Sequence, residues 1–203
     1  MKKEYKKLLK YSPNDSYIIQ QLAISIYKSR LPNETEALGE AYIEITKLRP
    51  ETSVDSETLG IAGSIQKRLY KLNKYINLDY INKAIRFYEK GYVINRDNYT
   101  GGNYVECMIL KALNDTIRDD EKHTLNYLIK EKAKEVIEIS NNLLDNNGDD
   151  VWIYSTLTAM YLILEEKENY TKSLEKVQQL LKEEWQIKTL EETLEVIREY
   201  SKL

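Results

Sequence analysis

The stretch Arg49-Pro50-Glu51-Thr52-Ser53-Val54-Asp55-Ser56-Glu57-Thr58-Leu59-Gly60-Ile61-Ala62-Gly63 decides the fold. A helix cannot continue through Pro50, because proline lacks the backbone N–H and its ring clashes with the preceding turn. Ser53 and Ser56 then offer side-chain oxygens that can cap a new helix. Beyond them Leu59, Ala62, Gly63, Leu69 and Tyr70 recur at helical spacing. The same grammar appears at Ser12-Pro13-Asn14-Asp15, Asn95-Arg96-Asp97-Asn98 and Asp145-Asn146-Asn147-Gly148-Asp149. Four such punctuation marks, each followed by helical periodicity, predict a stack of antiparallel helical hairpins.

Working outward, the predicted order is as follows. Residues 1–15 hold a short basic helix and a turn, with Tyr5, Leu8 and Leu9 on one face. Residues 16–185 hold four hairpins, and residues 186–203 a C-terminal capping helix. In the first hairpin Ile18, Leu22, Ile26 and Tyr27 line helix A, about 16–29, and Leu38, Ala41, Tyr42, Ile45 and Leu48 line helix B, about 34–48. The second hairpin ends on Ile81, Ala84, Ile85, Tyr88, Gly91 and Tyr92. The third opens at Gly101-Gly102, read as a turn, and crosses a polar link, Asn114–Lys122, to a helix near 124–144. The fourth carries Trp152, Leu157, Tyr161 and Leu164, then Tyr170, Leu174, Val177, Leu180 and Leu181. A last helix near 189–202 shows Leu190, Leu194, Ile197 and Tyr200, a stripe suited to closing an open apolar face. No strand-like alternation persists. The expected fold is all-α, one domain of 203 residues forming an α-α superhelix.

Composition agrees. Hydrophobic residues make up 42% and charged residues 31%, which argues against disorder, and no run of about 18 apolar residues predicts a membrane span. The basic N-terminus lacks an apolar h-region, so it does not read as a signal peptide. A single Cys107 excludes an internal disulfide and fits a reducing, cytoplasmic setting. The net charge of −3 is uneven: +5 over residues 1–100 and −8 over 101–203. Ordinary solvated helix faces account for this most simply, with salt-sensitive self-association as the alternative.

Chemistry is sparse. His123 is the only histidine and has no second histidine to share a metal, and Cys107 sits among apolar neighbours without a base. Asp145-Asn146-Asn147-Gly148-Asp149-Asp150 lacks the glycine and glutamate positions of a calcium loop, and Asp119-Asp120-Glu121 reads as a solvated loop. No catalytic residue, metal ligand or cofactor is expected. Lys67, Arg68, Lys71 and Lys74 beside Tyr70, Tyr75 and Tyr80 offer charge and stacking for single-stranded nucleic acid, but Tyr70 also fits the core stripe, and nucleic acid ranks behind other partners.

The fourth hairpin is similar to a tetratricopeptide repeat: Leu157-Thr158 and Tyr161 stand where that family has Leu-Gly-x-x-Tyr. More specifically, residues 57–68, Lys83-Ala84-Ile85-Arg86-Phe87-Tyr88-Glu89-Lys90-Gly91-Tyr92 and the run from Asn95 to Asn103 resemble the TRAFs-binding domain family. That family is a tetratricopeptide-like region of certain MAP-kinase-kinase-kinases with bacterial relatives. The likeness covers about residues 37–185. Gly63-Ser64-Ile65-Gln66-Lys67 departs from the family's Gly-Arg-Ile-Tyr-Lys type segment, and Thr100 stands where it usually has proline.

The resemblance implies a non-catalytic interaction scaffold or regulatory module in signalling or bacterial conflict, its A helices lining a concave groove for another protein or peptide. Counting from the tetratricopeptide pattern, Ser64, Lys67 and Arg68 face that groove in hairpin two, and Asn103, Glu106 and Lys111 in hairpin three. The second reading is a ligand-sensing regulator for nucleotides or short peptides, with Lys67, Arg68 and Tyr99, near Asn98 and Asn103, supplying the pocket.

Overall fold

The computed structural model describes residues 2–202, so Met1 and Leu203, at the ends of the expected domain and capping helix, lie outside the described residues. Among the described residues all regular structure is helical: α1 (Lys2–Leu8), α2 (Ser16–Ser29), α3 (Glu34–Thr46), α4 (Ser56–Leu72), α5 (Leu78–Asn95), α6 (Asn98–Ala112), α7 (Asp119–Asn147), α8 (Val151–Ile163), α9 (Lys167–Leu180) and α10 (Glu184–Tyr200). They fall into two compact units, Met1–Asn95 and Arg96–Leu203.

In the first unit α2 pairs with α3 and α4 with α5, and α4 also packs on α2 and α3. Aspartate or asparagine starts α2, α3 and α4. The Asp15 carboxylate accepts from the Ile18 N–H, and the Asn33 amide oxygen accepts from the Glu36 N–H, both at 3.0 Å. The α4 cap is Asp55 rather than the expected Ser53 or Ser56. Its carboxylate accepts from the Thr58 N–H at 3.1 Å, from the Thr58 hydroxyl at 2.6 Å and from the Gln20 amide of α2. One cap therefore also fixes how α2 meets α4. Behind it Leu22, Ile26, Leu38, Ile45, Leu59, Ile65 and Phe87 form one apolar cluster. Ile19 is buried and Ile18 only half-buried, so the buried stripe of α2 lies slightly round the helix from the expected one.

Gly63 marks a close approach of α4 and α5. A β-carbon there would lie 2.9 Å from the Tyr88 ring of α5, and Tyr88 is fully buried. The missing side chain at Gly63 is what leaves room for that ring.

In the second unit α6 pairs with α7 and α8 with α9; α7 also packs on α8, and α8 on α6. Three local expectations change. Gly101 and Gly102 are not a turn. Asp97 caps α6 by accepting from the Thr100 N–H at 2.7 Å, which places both glycines inside the helix. Gly102 serves proximity instead: a β-carbon there would meet Thr156 Cγ2 of α8 at 3.1 Å. The acidic run Asp119-Asp120-Glu121 is not a loop either. It forms the first turn of α7, where carboxylates face the positive end of the helix dipole. The turn expected from Asp145 begins only at Gly148, which takes a φ of 79°.

The C-terminal helix is present and starts earlier than its periodicity indicates, at Glu184. It packs against α6 and α8. Its Leu190 and Leu194 share a cluster with Val177 of α9, fringed by Val151, Tyr154 and Leu162 of α8.

Candidate functional site

Among the groove residues expected in hairpin two, Ser64 and Arg68 come together. They stand four residues apart on α4, on the stripe Glu57, Ile61, Ser64, Arg68. Arg68 leans over Tyr27 of α2, its guanidinium carbon 5.3 Å from the ring centroid. One of its nitrogens lies 3.8 Å from a carboxylate oxygen of Glu34, at the start of α3. Arg30, the left-handed C-cap of α2, brings its Nε to the same oxygen, also at 3.8 Å. Two guanidinium groups thus converge on one carboxylate, with side-chain exposures of 41% for Arg68 and 63% for Arg30.

The electrostatics follow from this packing. Burial pushes the Tyr27 phenol above its ordinary value, while the Arg68 charge and a hydrogen bond with Ser64 pull the other way. The Glu57 carboxyl is also raised, first by partial desolvation and then by the nearby Asp55 charge. A guanidinium stacked on an aromatic ring keeps N–H edges free to meet a carboxylate or carbonyl, and the ring fixes its plane. Tyr27, Ser64, Arg68, Arg30 and Glu34 therefore make a small anion-adapted patch on the α2–α4 face.

Lys67 does not join it. Its ammonium lies 6.0 Å from the centroid of Tyr88, on the α5 side of α4. In hairpin three the expected residues also diverge. The Asn103 amide donates to the Tyr99 carbonyl at 2.8 Å. Lys111 pairs with Glu121 of α7 at 2.7 Å, its side chain only 17% exposed, so it ties the two arms of its own hairpin. Glu106, expected in an open groove, is 7% exposed. With α10 packed against both α6 and α8, the A-helix face of this unit is covered.

The other motifs are placed as follows. His123 is exposed on α7 and Cys107 is fully buried in α6. Among the described residues no group of three or more His, Cys, Asp or Glu is disposed to hold a metal ion, and no helix is long and apolar enough to cross a membrane. Tyr70, one of the candidate stacking rings, is buried with its ring edge-on to Tyr75 at 5.3 Å, which removes it as a base platform.

Paired helices, small residues at helix crossings and A-to-A packing within each unit are the marks of a tetratricopeptide-like array. The family model described as TPR-S, Tetratricopeptide Repeats-Sensor, matches residues 1–108. The chain belongs to that family. No curated protein matches it. The TPR-S match takes in the whole first unit and most of α6, so the Tyr27–Arg68 patch lies entirely within it. As a TPR-like repeat protein the chain is a protein-interaction or regulatory module. Sequence reasoning found Ser64 and Arg68 of the patch but counted Tyr27 as core and passed over Arg30 and Glu34. The available signal was weak: a tyrosine closing the apolar stripe of an A helix, with a basic residue at the turn beyond it.

Proposed function

We propose that this TPR-S protein is a non-catalytic scaffold or regulatory module that takes up an acidic segment of another protein on the α2–α4 face. The observation carrying this reading is the convergence of Arg68 and Arg30 on Glu34 beside the Tyr27 ring. Glu34 marks where a partner carboxylate fits. Ser64 supplies a hydroxyl next to it, and Lys67 adds positive charge from the α5 side of α4, whereas Asn103, Glu106 and Lys111 belong to hairpin three and take no part in this patch. The resemblance of residues 57–103 to the TRAFs-binding family supports a cytoplasmic setting in signalling or bacterial conflict, with the effector carried elsewhere.

A second reading, a ligand-sensing regulator, is favoured by the same contact, because a ring with a guanidinium over it also suits a flat anionic small molecule. Thermal unfolding of the full chain separates the two. A ligand at one hundred times its dissociation constant stabilises by about 2.7 kcal/mol, or roughly 5–11 °C for a chain of this size. The scaffold reading expects such a shift with acidic helical peptides and its loss in Arg68→Ala. A shift with nucleotides alone selects the sensor. A peptide shift that survives Arg68→Ala refutes the assignment of the site.

A further inference from the structure

We propose that α10 is a releasable internal ligand that closes the α6–α8 face of the second unit, and that its release opens this face to an acidic amphipathic helix of the same pattern. The proposal rests on the reading of A-helix faces as partner-binding faces, and extends it to regulation.

Four observations carry it. First, α10 packs on α6 and α8, the A helices of hairpins three and four, rather than only closing the end of the last hairpin. A partner helix entering a repeat groove would use that kind of surface. Second, its grip is apolar. Leu190, Leu194, Ile197 and Tyr200, spaced by four, three and three, are 7%, 4%, 1% and 8% exposed. Trp185 adds a ring contact with Trp152 of α8 at 5.5 Å. Among the described residues the side-chain hydrogen bonds of α10 are local: Thr189 to the Trp185 carbonyl, Thr193 to Thr189, and Gln186 to the N–H groups of Lys182 and Glu183. A segment held by a few apolar side chains is of the kind that opens below the global unfolding free energy.

Third, α10 is built to stand alone. Three residues connect it to α9; Leu181 and Glu183 are extended, and the Gln186 side chain accepts from the Lys182 and Glu183 N–H groups at 3.1 and 3.0 Å, so local residues hold the start of the helix. Fourth, its outer face carries Glu191, Glu192, Glu195 and Glu199, all exposed, so the helix keeps a solvated side when free. The occupant that fits the face is thus defined by the one seated there: Leu-x-x-x-Leu-x-x-Ile-x-x-Tyr on one side, carboxylates on the other.

The test uses the full chain. Hydrogen–deuterium exchange under native conditions should show α10 losing protection in a separate, faster event than α6 and α8. Leu194→Ala, which truncates a nearly buried contact, should raise α10 opening about thirtyfold or more while α6 protection holds. Trp185→Ala is the milder second variant, should the first fail to fold. A fluorescein-labelled peptide of residues 183–202 should then be captured by the variants and refused by the parent chain. The tryptophan pair reports the same event, since release separates the only two indoles in the protein. If α10 exchanges only together with α6 and α8, or the opened variants fail to capture the peptide, the proposal is overturned. Arg68→Ala leaves both readouts unchanged, so failure of the α2–α4 binding reading is separately visible.

Discussion

Replacing Gly63 by alanine sets two opposed effects against each other at a position the structure resolves closely. Mid-helix glycine is worse than alanine by roughly 0.8–1.0 kcal/mol, so propensity alone makes the substitution stabilising. Packing opposes it. The new methyl would lie 2.9–3.0 Å from three ring carbons of Tyr88, which is fully buried and set between α4 and α5. A fixed ring cannot swing aside as a flexible chain end can, so the two helices must separate. Overpacking of this kind costs about 1–3 kcal/mol. The net expectation is a loss of up to about 2 kcal/mol, a fall of roughly 4–8 °C at the scale suited to a chain of this length.

Gly39 supplies the control within the same unit. It lies inside α3, with no atom within 4 Å of a built β-carbon. Gly39→Ala should therefore gain close to the full propensity term, about 1 kcal/mol. Both variants are read by urea unfolding followed by far-ultraviolet circular dichroism, and the comparison cancels errors common to the unit. A double variant, Gly63→Ala with Tyr88→Leu, should recover part of the loss relative to the sum of the singles, because the two sites touch. Equal stabilisation by Gly63→Ala and Gly39→Ala would show that the α4–α5 crossing is looser than described.

Asp55→Ala removes a cap that serves Thr58 twice and Gln20 once, and should cost about 2 kcal/mol or more in chemical denaturation, against about 1 kcal/mol for the simpler cap Asp15→Ala. Hydrogen bonds from Lys2 and then Lys6, at 2.6 and 2.9 Å, hold the Glu40 carboxyl below its ordinary value. The docking of α1 that this supports is complete above the ordinary carboxylate value and is lost as pH falls through the lowered one. The amide resonances of Lys2–Leu8 should accordingly shift toward free-helix values as pH falls below the ordinary carboxylate range, and Glu40→Gln should abolish the transition. The pair is exposed enough that about 1 M salt should weaken the same docking at neutral pH.

The hairpin order was legible because breakers and apolar periodicity are local properties, written within a dozen residues. Cap identity was less so. Ser53, Asp55 and Ser56 all carry a suitable oxygen, and only the backbone path decides that Asp55 reaches the Thr58 N–H. The pair Gly101-Gly102 reads as a turn because glycine is the usual turn former. Its real cause is non-local: α8 brings Thr156 against α6, and nothing near residue 102 announces that neighbour. Polarity misled at Asp119–Glu121 for a related reason. Acidic residues suit a solvated link and a first helical turn equally well, and the pairing of Glu121 with Lys111 that favours the helix lies ten residues away.

The candidate site divides along the same line. Successive helix residues point about 100° apart, so Lys67 and Arg68 cannot share a face whatever their chemistry. The rotation sends Lys67 toward Tyr88 of α5 and Arg68 toward Tyr27 of α2. A basic dipeptide in a hairpin array is therefore two separate reagents, one turned to its own hairpin and one to the hairpin before. Only the second meets Glu34 and Arg30, residues more than thirty positions away whose spacing encodes nothing about the encounter. The same limit applies to α10: its stripe of Leu190, Leu194, Ile197 and Tyr200 reveals that some apolar face is covered, but the pattern suits any such face. Which one it covers fixes whether the C-terminal helix merely ends the array or also stands where a partner would enter, and that is a property of packing alone.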